Sequence, residues 1–598
     1  MAMDKRPPEP LLQGRRAFEH IPFYEMLTDL EWFPTVNKWG LCCRIKVEPR
    51  GLVPESTTWY ILVEECYPWG TIELYPAKDG GLQCTFPHQS YNGPGDQKLP
   101  WREGKICAQT SLRSFGRRMY DIEPLTASER LTWHITRARD WITAASHDQL
   151  IEPGDPFEFP DFPGASPSFE IAFREDETSF TFWEGNPCNS GFVDFAYPAN
   201  NSAVFAVIAF KDAKGQPIRS IQYGDTLSLK ASRIGLWLRV PRVPHIPPWQ
   251  APTTYGELIW VLSLMEIDLN HMLSGFARNI RDGTSHPLLI GFPIPSKVGS
   301  SNERYHWQGL LLPVLSHGKP KGFSSTEKGY VLRDKAQVLT QATRLLWVAS
   351  RNWDPSEITA RGRLSEGLAF KKILIIGVGA LGSMISELLV REGCRRLVLV
   401  DYDRLQIGNV SRHILQLNDV RKMKASSVAA RLRNVNPYVI ITAIESRFPP
   451  TDSTDHASIA DCDVIVDCTA DDTVLNQLSV FDWQSEKLFF SISVGMQAKR
   501  LFLFSAHSPS FPHSTFIDLV RPLIKTEIQE YAGTTLPREG MGCWHPIFPA
   551  RADDLWLFAS IAVKIVEETV LAPIKSPSLR VYEQIYDKGM FQGVRRVS

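Results

Sequence analysis

Downstream of about residue 361, unbroken apolar runs alternate with amphipathic ones. "KKILIIG", "RLVLVD", "VIITAIES", "DVIVDC" and "LFFSISVG" are strand-length and apolar almost throughout, the pattern of strands covered on both faces. "GSMISELLVREG" and "KASSVAARLRNV" lie between them with helical spacing. Alternation of this kind predicts a doubly wound α/β sheet, parallel at least in its first half.

The N-terminal pattern is different. "LLQGRRAFEHIPFYEMLTDL" suits an amphipathic helix, and the closely spaced β-rich runs "GLCCRIKVE", "TTWYILVEE", "GTIELYP" and "LQCTF" predict an antiparallel meander. After a loop, "LTASERLTWHITRARDWITAAS" puts Leu131, Ile135, Ala138 and Ile142 on one helical face. This predicts a compact α+β domain over residues 1–160. The proline-rich "IEPGDPFEFPDFPGASPS" can continue neither a helix nor a central strand and marks a boundary. Residues 161–360 hold strand-like runs ("SFEIAF", "AVFAVIAF"), an extended connector "VPRVPHIPPWQAP" and a long helix candidate with Leu258, Leu262, Met265, Leu269 and Met272 at core spacing. They carry no readable chemistry and are expected to form an α/β linker domain. Residues 361–598 form the third expected domain.

Composition narrows the function classes. The 598 residues carry a net charge of −1, so nothing indicates a nucleic-acid-binding stripe or a membrane-seeking surface. No apolar run is long enough to span a bilayer, and "MAMDKRPPEPLLQGRR" lacks an apolar signal core. A cytoplasmic protein is expected. The ten cysteines form no CxxC pair, so neither a disulfide scaffold nor a zinc site is expected.

The candidate chemistry begins at "ILIIGVGALGSMISELLVREGCRRLVLVDYD". Gly377, Gly379 and Gly382 stand at a strand-to-helix turn, where backbone N–H groups and the helix N-terminus favour a phosphate. Alone, this spacing fits a dinucleotide site as well as any other, and Asp401 could hold a ribose in either case. The next stretch, "DYDRLQIGNVSRHILQLNDVRKMKASSVAARLRNVNP", points away from redox chemistry. Asn409, Arg412 and Lys424 follow Asp401 and Asp403 where the loop and helix reach the carboxyl edge of the sheet. A ribose acid with an Arg and a Lys nearby suits a triphosphate attacked at phosphorus.

"GVGALGS", "LVDYDRLQIGNVSRH", "MKASSVAARLRNVNP" and "VIVDCTADDTVLNQLS" resemble the adenylation domain of ubiquitin-activating (ThiF/MoeB-type) enzymes. The resemblance implies that ATP and Mg²⁺ activate the C-terminal glycine carboxylate of a protein as an acyl-adenylate. It places Asp401 on the ribose with Asp403 beside it, and Asn409, Arg412 and Lys424 on the phosphates and the transition state. The aspartate that usually follows "DCT" is Ala470 here, leaving Asp467, Asp471 and Asp472 as alternatives for the metal, Asp467 and Asp471 first. The family's zinc-binding cysteine pairs are absent.

Two cysteines stand in suggestive contexts. "LPREGMGCWHPIFPARADD" places Cys543 near Arg538 and His545, and cations near a thiol favour the thiolate. In activating enzymes a cysteine in the corresponding crossover segment takes the acyl group as a thioester. His545 suits local packing or catalysis equally. Cys107 ends the long loop "PHQSYNGPGDQKLPWREGKICAQTSL". The helix–meander–loop–cysteine–helix order resembles a ubiquitin-conjugating domain, whose "GxIC" motif is Gly104, Lys105, Ile106 and Cys107. That family's His-Pro-Asn motif is not intact; "FPHQ" offers His88, and the oxyanion group stays unassigned. Cys394, Cys462 and Cys468 lie in or beside core elements and are expected to be structural.

Together the two ends resemble the bacterial activating–conjugating fusion of antiphage CBASS operons. The resemblance implies that the operon's cGAS/DncV-like nucleotidyltransferase (CD-NTase) is the protein activated at its C-terminus and joined to target amines, and that the chain is a homodimer. Three rivals remain: a sulfur-carrier adenylyltransferase, which needs no Cys107; an NAD-dependent oxidoreductase, indifferent to Lys424; and an inactive scaffold that does not bind ATP.

Overall fold

The computed structural model describes residues 5–107, 123–164, 166–198, 201–225, 231–318, 322–538 and 548–598. The chain forms two compact units that divide between Trp353 and Asp354, with short pieces around Tyr197 and Tyr223 belonging to the second.

The first unit opens with α1 (Glu9–Ala17) and an antiparallel meander of β1 (Tyr24–Phe33), β2 (Lys38–Lys46), β3 (Ser56–Val63) and β4 (Ile72–Pro76). The expected opening helix ends early, at Ala17, because Pro22 cannot continue it, and the run passes through a turn into β1 at Tyr24. Conversely, "LQCTF" is loop, although Leu82 and Phe86 are core residues. The buried Asn92 amide donates to the Leu82 and Cys84 carbonyls at 2.8 and 2.9 Å, and Gln89 Oε1 accepts the Phe86 N–H at 3.0 Å. Side chains thus take the place of ladder bonds. Helix α2 (Arg130–Ser146) lays Leu131, Ile135, Ala138 and Ile142, all fully buried, against Trp59 and Ile61 of the sheet.

The middle of the chain contributes β5 (Ser166–Phe173), β6 (Ser190–Ala196), β7 (Val204–Lys211), β8 (Pro217–Ser220), β9 (Arg233–Arg239), β10 (Pro287–Ile294), β11 (Arg304–Leu311) and β12 (Leu346–Asn352). Their order is β5-β12-β11-β10-β9-β6-β7-β8, and β5 also pairs with β7, so seven strands close on themselves. The sheet is mixed and mostly antiparallel. Trp183 of α3 (Glu177–Gly185) packs against Phe210, Trp237 and Trp307. The indoles of Trp183 and Trp307 both donate to buried Glu175. The long helix expected around Leu258–Met272 is two helices, α4 (Tyr255–Ser263) and α5 (Leu269–Phe276). Glu266 between them takes a left-handed φ of 61°, and Asp268 restarts the helix by accepting the His271 N–H at 2.9 Å. Helix α6 (Glu327–Arg333) completes this region.

The second unit holds short α7 (Pro355–Ile358) and α8 (Glu366–Ala369), then β13 (Lys372–Ile376), α9 (Ala380–Arg391), β14 (Arg396–Val400), α10 (Lys424–Arg433), β15 (Ile440–Ile444), α11 (Ser453–Ala460), β16 (Val464–Asp467), α12 (Asp472–Val480), β17 (Lys487–Val494), β18 (Arg500–Ser508), α13 (His513–Glu530), α14 (Ala552–Leu571), β19 (Ser578–Asp587) and β20 (Met590–Arg596). The sheet order is β15-β14-β13-β16-β17-β18-β19-β20, parallel from β15 to β17 and antiparallel beyond. Alternation along β13 explains the apolar runs. Ile373 and Ile375 join a core with α9, α10 and α14, while Leu374 and Ile376 join one with α11, α12 and α13. The chain leaves β13 for β14 and later returns to β16 on its other side. That switch point is where a doubly wound sheet offers a ligand crevice.

Candidate active site

The three glycines at the end of β13 serve different physical ends. Gly377 has φ +82°, and a Cβ there would sit 2.8 Å from Thr469 Cγ2, on the loop after β16. A Cβ on Gly382 would lie 2.1 Å from the Gly377 carbonyl oxygen, so this position lets α9 approach the strand end. Gly379 is the N-cap of α9, has no side chain to cap the helix, and nothing lies within 4 Å of where its Cβ would be. The twelve-residue helix thus turns uncapped N–H groups toward open space, a cradle that fits a phosphate.

Asp401, at the end of β14, is buried. One carboxylate oxygen accepts the Val378 N–H of the glycine loop at 3.0 Å and the other the Asp403 N–H at 2.8 Å. Burial holds its carboxyl above the usual value, against the pull of those N–H groups and of Lys424. Each oxygen keeps a lone pair for a further donor such as a ribose hydroxyl. Lys424, the first residue of α10 and itself buried, donates Nζ to Asp403 at 3.0 Å. Arg412 donates to the carbonyl of Phe548. Asn409 is engaged locally, its Oδ1 accepting the Gln406 N–H at 3.0 Å.

Sequence reasoning passed over His413. It is buried, its Nδ1 accepts the Leu415 N–H at 3.1 Å, and its Nε2 faces the Val378 carbonyl at 2.8 Å. Those partners define the Nε2–H tautomer, and burial holds the imidazole at about 4, neutral in the fold. Val378 is therefore gripped from both sides, its N–H by Asp401 and its carbonyl by His413. The available signal was position, since His413 directly follows Arg412 in "NVSRH".

The two metal candidates separate. Asp467 is fully buried, accepting from the Thr469 N–H and hydroxyl and from the Ser491 hydroxyl, and burial pushes its carboxyl up to about 6. It braces the loop after β16. Asp471 is exposed and caps α12 through the Thr473 N–H at 2.8 Å. Among the described residues no cluster of three or more His, Cys, Asp or Glu could hold a metal. An exposed carboxylate still fits Mg²⁺, which is mostly held by water and substrate phosphate. Cys394 and Cys462 are buried, and burial pushes both thiols up to about 12. Cys468, beside the glycine loop, is raised by the same cause.

Cys543 and His545 lie outside the described residues. Cys107 is described. It lines a cleft of about 370 Å³ together with His88 and Gln89, and its N–H donates to the His88 carbonyl at 2.9 Å. The two ends of the loop between His88 and Cys107 are thus adjacent.

Residues 148–353 match the Cap2 central linker domain and residues 350–512 the ThiF family. Over 579 residues, 95% of this chain and 94% of the relative, the sequence is 34% identical to the ATP-dependent ubiquitin transferase-like protein Cap2 of Enterobacter hormaechei subsp. hoffmannii (strain UCI 50). The chain belongs to the Cap2 family. The molybdopterin-synthase adenylyltransferase of Escherichia coli (strain K12) is 33% identical over 115 residues, 19% of this chain and 45% of that protein. Among solved structures, E. coli MccB with ATP aligns at a TM-score of 0.27 and 15% identity, covering 39% of this chain and 64% of that one. Cap2 membership and the ThiF match make the chain an ATP-dependent, ubiquitin-transferase-like enzyme with an activating-type adenylation domain. The ThiF match includes every candidate nucleotide residue and ends before Cys543.

Proposed function

We propose that the chain activates the C-terminal carboxylate of a partner protein and passes it through two cysteines to an amine, the partner being the CD-NTase of an antiphage CBASS operon. The substrate carboxylate attacks the α-phosphorus of ATP and pyrophosphate leaves. Lys424 and Arg412 neutralise charge as it develops on the phosphates, while Asp401 and Asp403 orient the ribose end. Mg²⁺, when bound, adds charge neutralisation at the phosphates; exposed Asp471 has room to contact it, whereas Asp467 is committed to the loop. The Cys543 thiolate then attacks the activated carbonyl and AMP leaves. The Cys107 thiolate takes the acyl group by thioester exchange, and an amine finally displaces it. Adenylation comes first because a free carboxylate is too poor an electrophile for a thiolate. The reading also assigns the N-terminal α+β region as the conjugating domain, residues 161–360 as the linker, and a homodimer in the bacterial cytoplasm.

The observation that carries this reading is the Cys107 cleft. An adenylyltransferase serving only sulfur carriers has no use for a cysteine set in a cleft beside a histidine, in a different compact unit of the chain from the glycine loop. A thioester trap tests it. Wild type, Cys543→Ala and Cys107→Ala chains are mixed with Mg-ATP and the CD-NTase encoded beside them and run on non-reducing gels. The expected result is an ATP-dependent, thiol-sensitive adduct that vanishes with Cys543→Ala and changes its attachment site with Cys107→Ala. ATP consumption without any adduct overturns the conjugating half and leaves the sulfur-carrier reading.

A further inference from the structure

Within the first unit, the proline-rich segment around residues 151–164 is a strap laid against the Cys107 loop. Pro156 bridges Lys297, and the Phe159 ring lies 4.3 Å from His306 and 6.0 Å from Phe292 of the closed sheet. Two residues on, Asp161 accepts the Tyr91 N–H at 2.8 Å. Between these anchors Glu158 reaches the loop, and its carboxylate pairs with Nδ1 of His88. Glu158, His88 and Cys107 line the same cleft. His88 also has a left-handed φ of 56°, a conformation that costs free energy and collects at functional sites.

We infer that His88 is the base that takes the proton of the attacking amine at a Cys107 thioester, and that Glu158, supplied by the strap, is the positioning residue that sets its tautomer. This inference rests on the conjugation reading. A carboxylate at Nδ1 selects the Nδ1–H form, whose lone pair is on Nε2. In the step, the nitrogen lone pair of a neutral primary amine forms a C–N bond at the acyl carbon. The C–S bond breaks, its electron pair leaving with Cys107 sulfur as thiolate. The amine proton passes to His88 Nε2 and from there to the thiolate, so thioester plus amine becomes amide plus thiol. The strap thereby contributes to the acceptor site, and the acceptor is a lysine-type amine. Among the described residues, the other charged groups lining the cleft are Asp161, Glu73 and Lys105, the last paired with Glu73 at 3.2 Å.

The test separates loading from discharge. Full-length wild type, His88→Gln and Glu158→Gln are charged with Mg-ATP and the CD-NTase, ATP is then removed, and loss of the Cys107 thioester is followed after adding free L-lysine or hydroxylamine. All three are expected to charge. Lysine discharge should fall about 100-fold in His88→Gln and about 10-fold in Glu158→Gln, and the pH–rate profile of lysine discharge should differ from wild type in both. Discharge to hydroxylamine, which is neutral and needs no base, should be unchanged, showing that the cleft itself is intact. Charged variants that release to lysine at the wild-type rate and with the wild-type pH profile overturn this inference alone. A wild-type chain that never forms the Cys107 thioester overturns the conjugation reading, and this inference with it.

Discussion

The glycine-loop site and the Cys107 cleft are built in opposite ways. In the first, Gly377, Asp401, His413 and Lys424 come from neighbouring strand ends and the loops directly after them, because a parallel sheet delivers consecutive βα turns to one edge. In the second, His88 and Cys107 are joined by one backbone hydrogen bond across a loop, and Glu158 arrives on a strap from beyond α2. A sheet edge gathers a site from successive βα turns of one regular topology. A loop site depends on long-range contacts that each have to be held separately.

The sharpest way to break this contrast is to disable one site and read the other. Lys424→Ala should lower ATP–pyrophosphate exchange by roughly 10²–10³-fold, the loss of one electrostatic group at the transition state, while Cys107→Ala should leave that exchange at the wild-type level. Equal losses from both would mean that the two sites are not chemically separate steps.

A second comparison uses buried histidines. His413 in the second unit and His306 in the first are both held at about 4 by burial, below the ordinary 6.5. Between about pH 6.5 and 4 the unfolded chain binds a proton that the folded imidazole refuses. Stability is therefore fully present above 6.5 and falls as the pH drops through that window, by an amount on the order of 3 kcal/mol per histidine. Denaturant titrations at several pH values should show His413→Gln flattening this slope for the second unit only, and His306→Gln for the first only.

The glycines give smaller, graded effects. Gly382→Ala drives a Cβ to 2.1 Å from a backbone carbonyl, which cannot move without displacing the loop. It should cost about 1–3 kcal/mol and weaken ATP binding in a calorimetric titration. Gly104→Ala meets the Asn92 side chain at 2.5 Å instead. A side chain can shift, at the expense of the Leu82 and Cys84 carbonyl bonds, so about 1 kcal/mol is expected and charging of Cys107 should persist.

How much could be read in advance follows the same division. The apolar runs of β13, β14 and β16 and the helical spacing of α9 and α10 declare a two-sided sheet, since each strand must be apolar on both faces. Leu131, Ile135, Ala138 and Ile142 likewise declared the buried stripe of α2. The extent of α1 and the break between α4 and α5 were misread because one proline and one capping aspartate outweigh a continuing apolar period. "LQCTF" was misread because two buried amides supply the hydrogen bonds that a neighbouring strand would have made. Asp467, a metal candidate by position, is buried and accepts from three donors, a contact set that its place in the sequence does not announce.

The class of the second unit, the glycine turn and the polar set around Asp401 were legible in the residues alone, because local period and spacing carry that information through a regular βα topology. The closure of the middle strands on themselves, the His413 contact that holds Val378 opposite Asp401, and the cleft shared by His88, Cys107 and Glu158 come from the folded chain. Each depends on a contact between segments whose separation along the chain leaves no periodic trace, so packing alone brings them together.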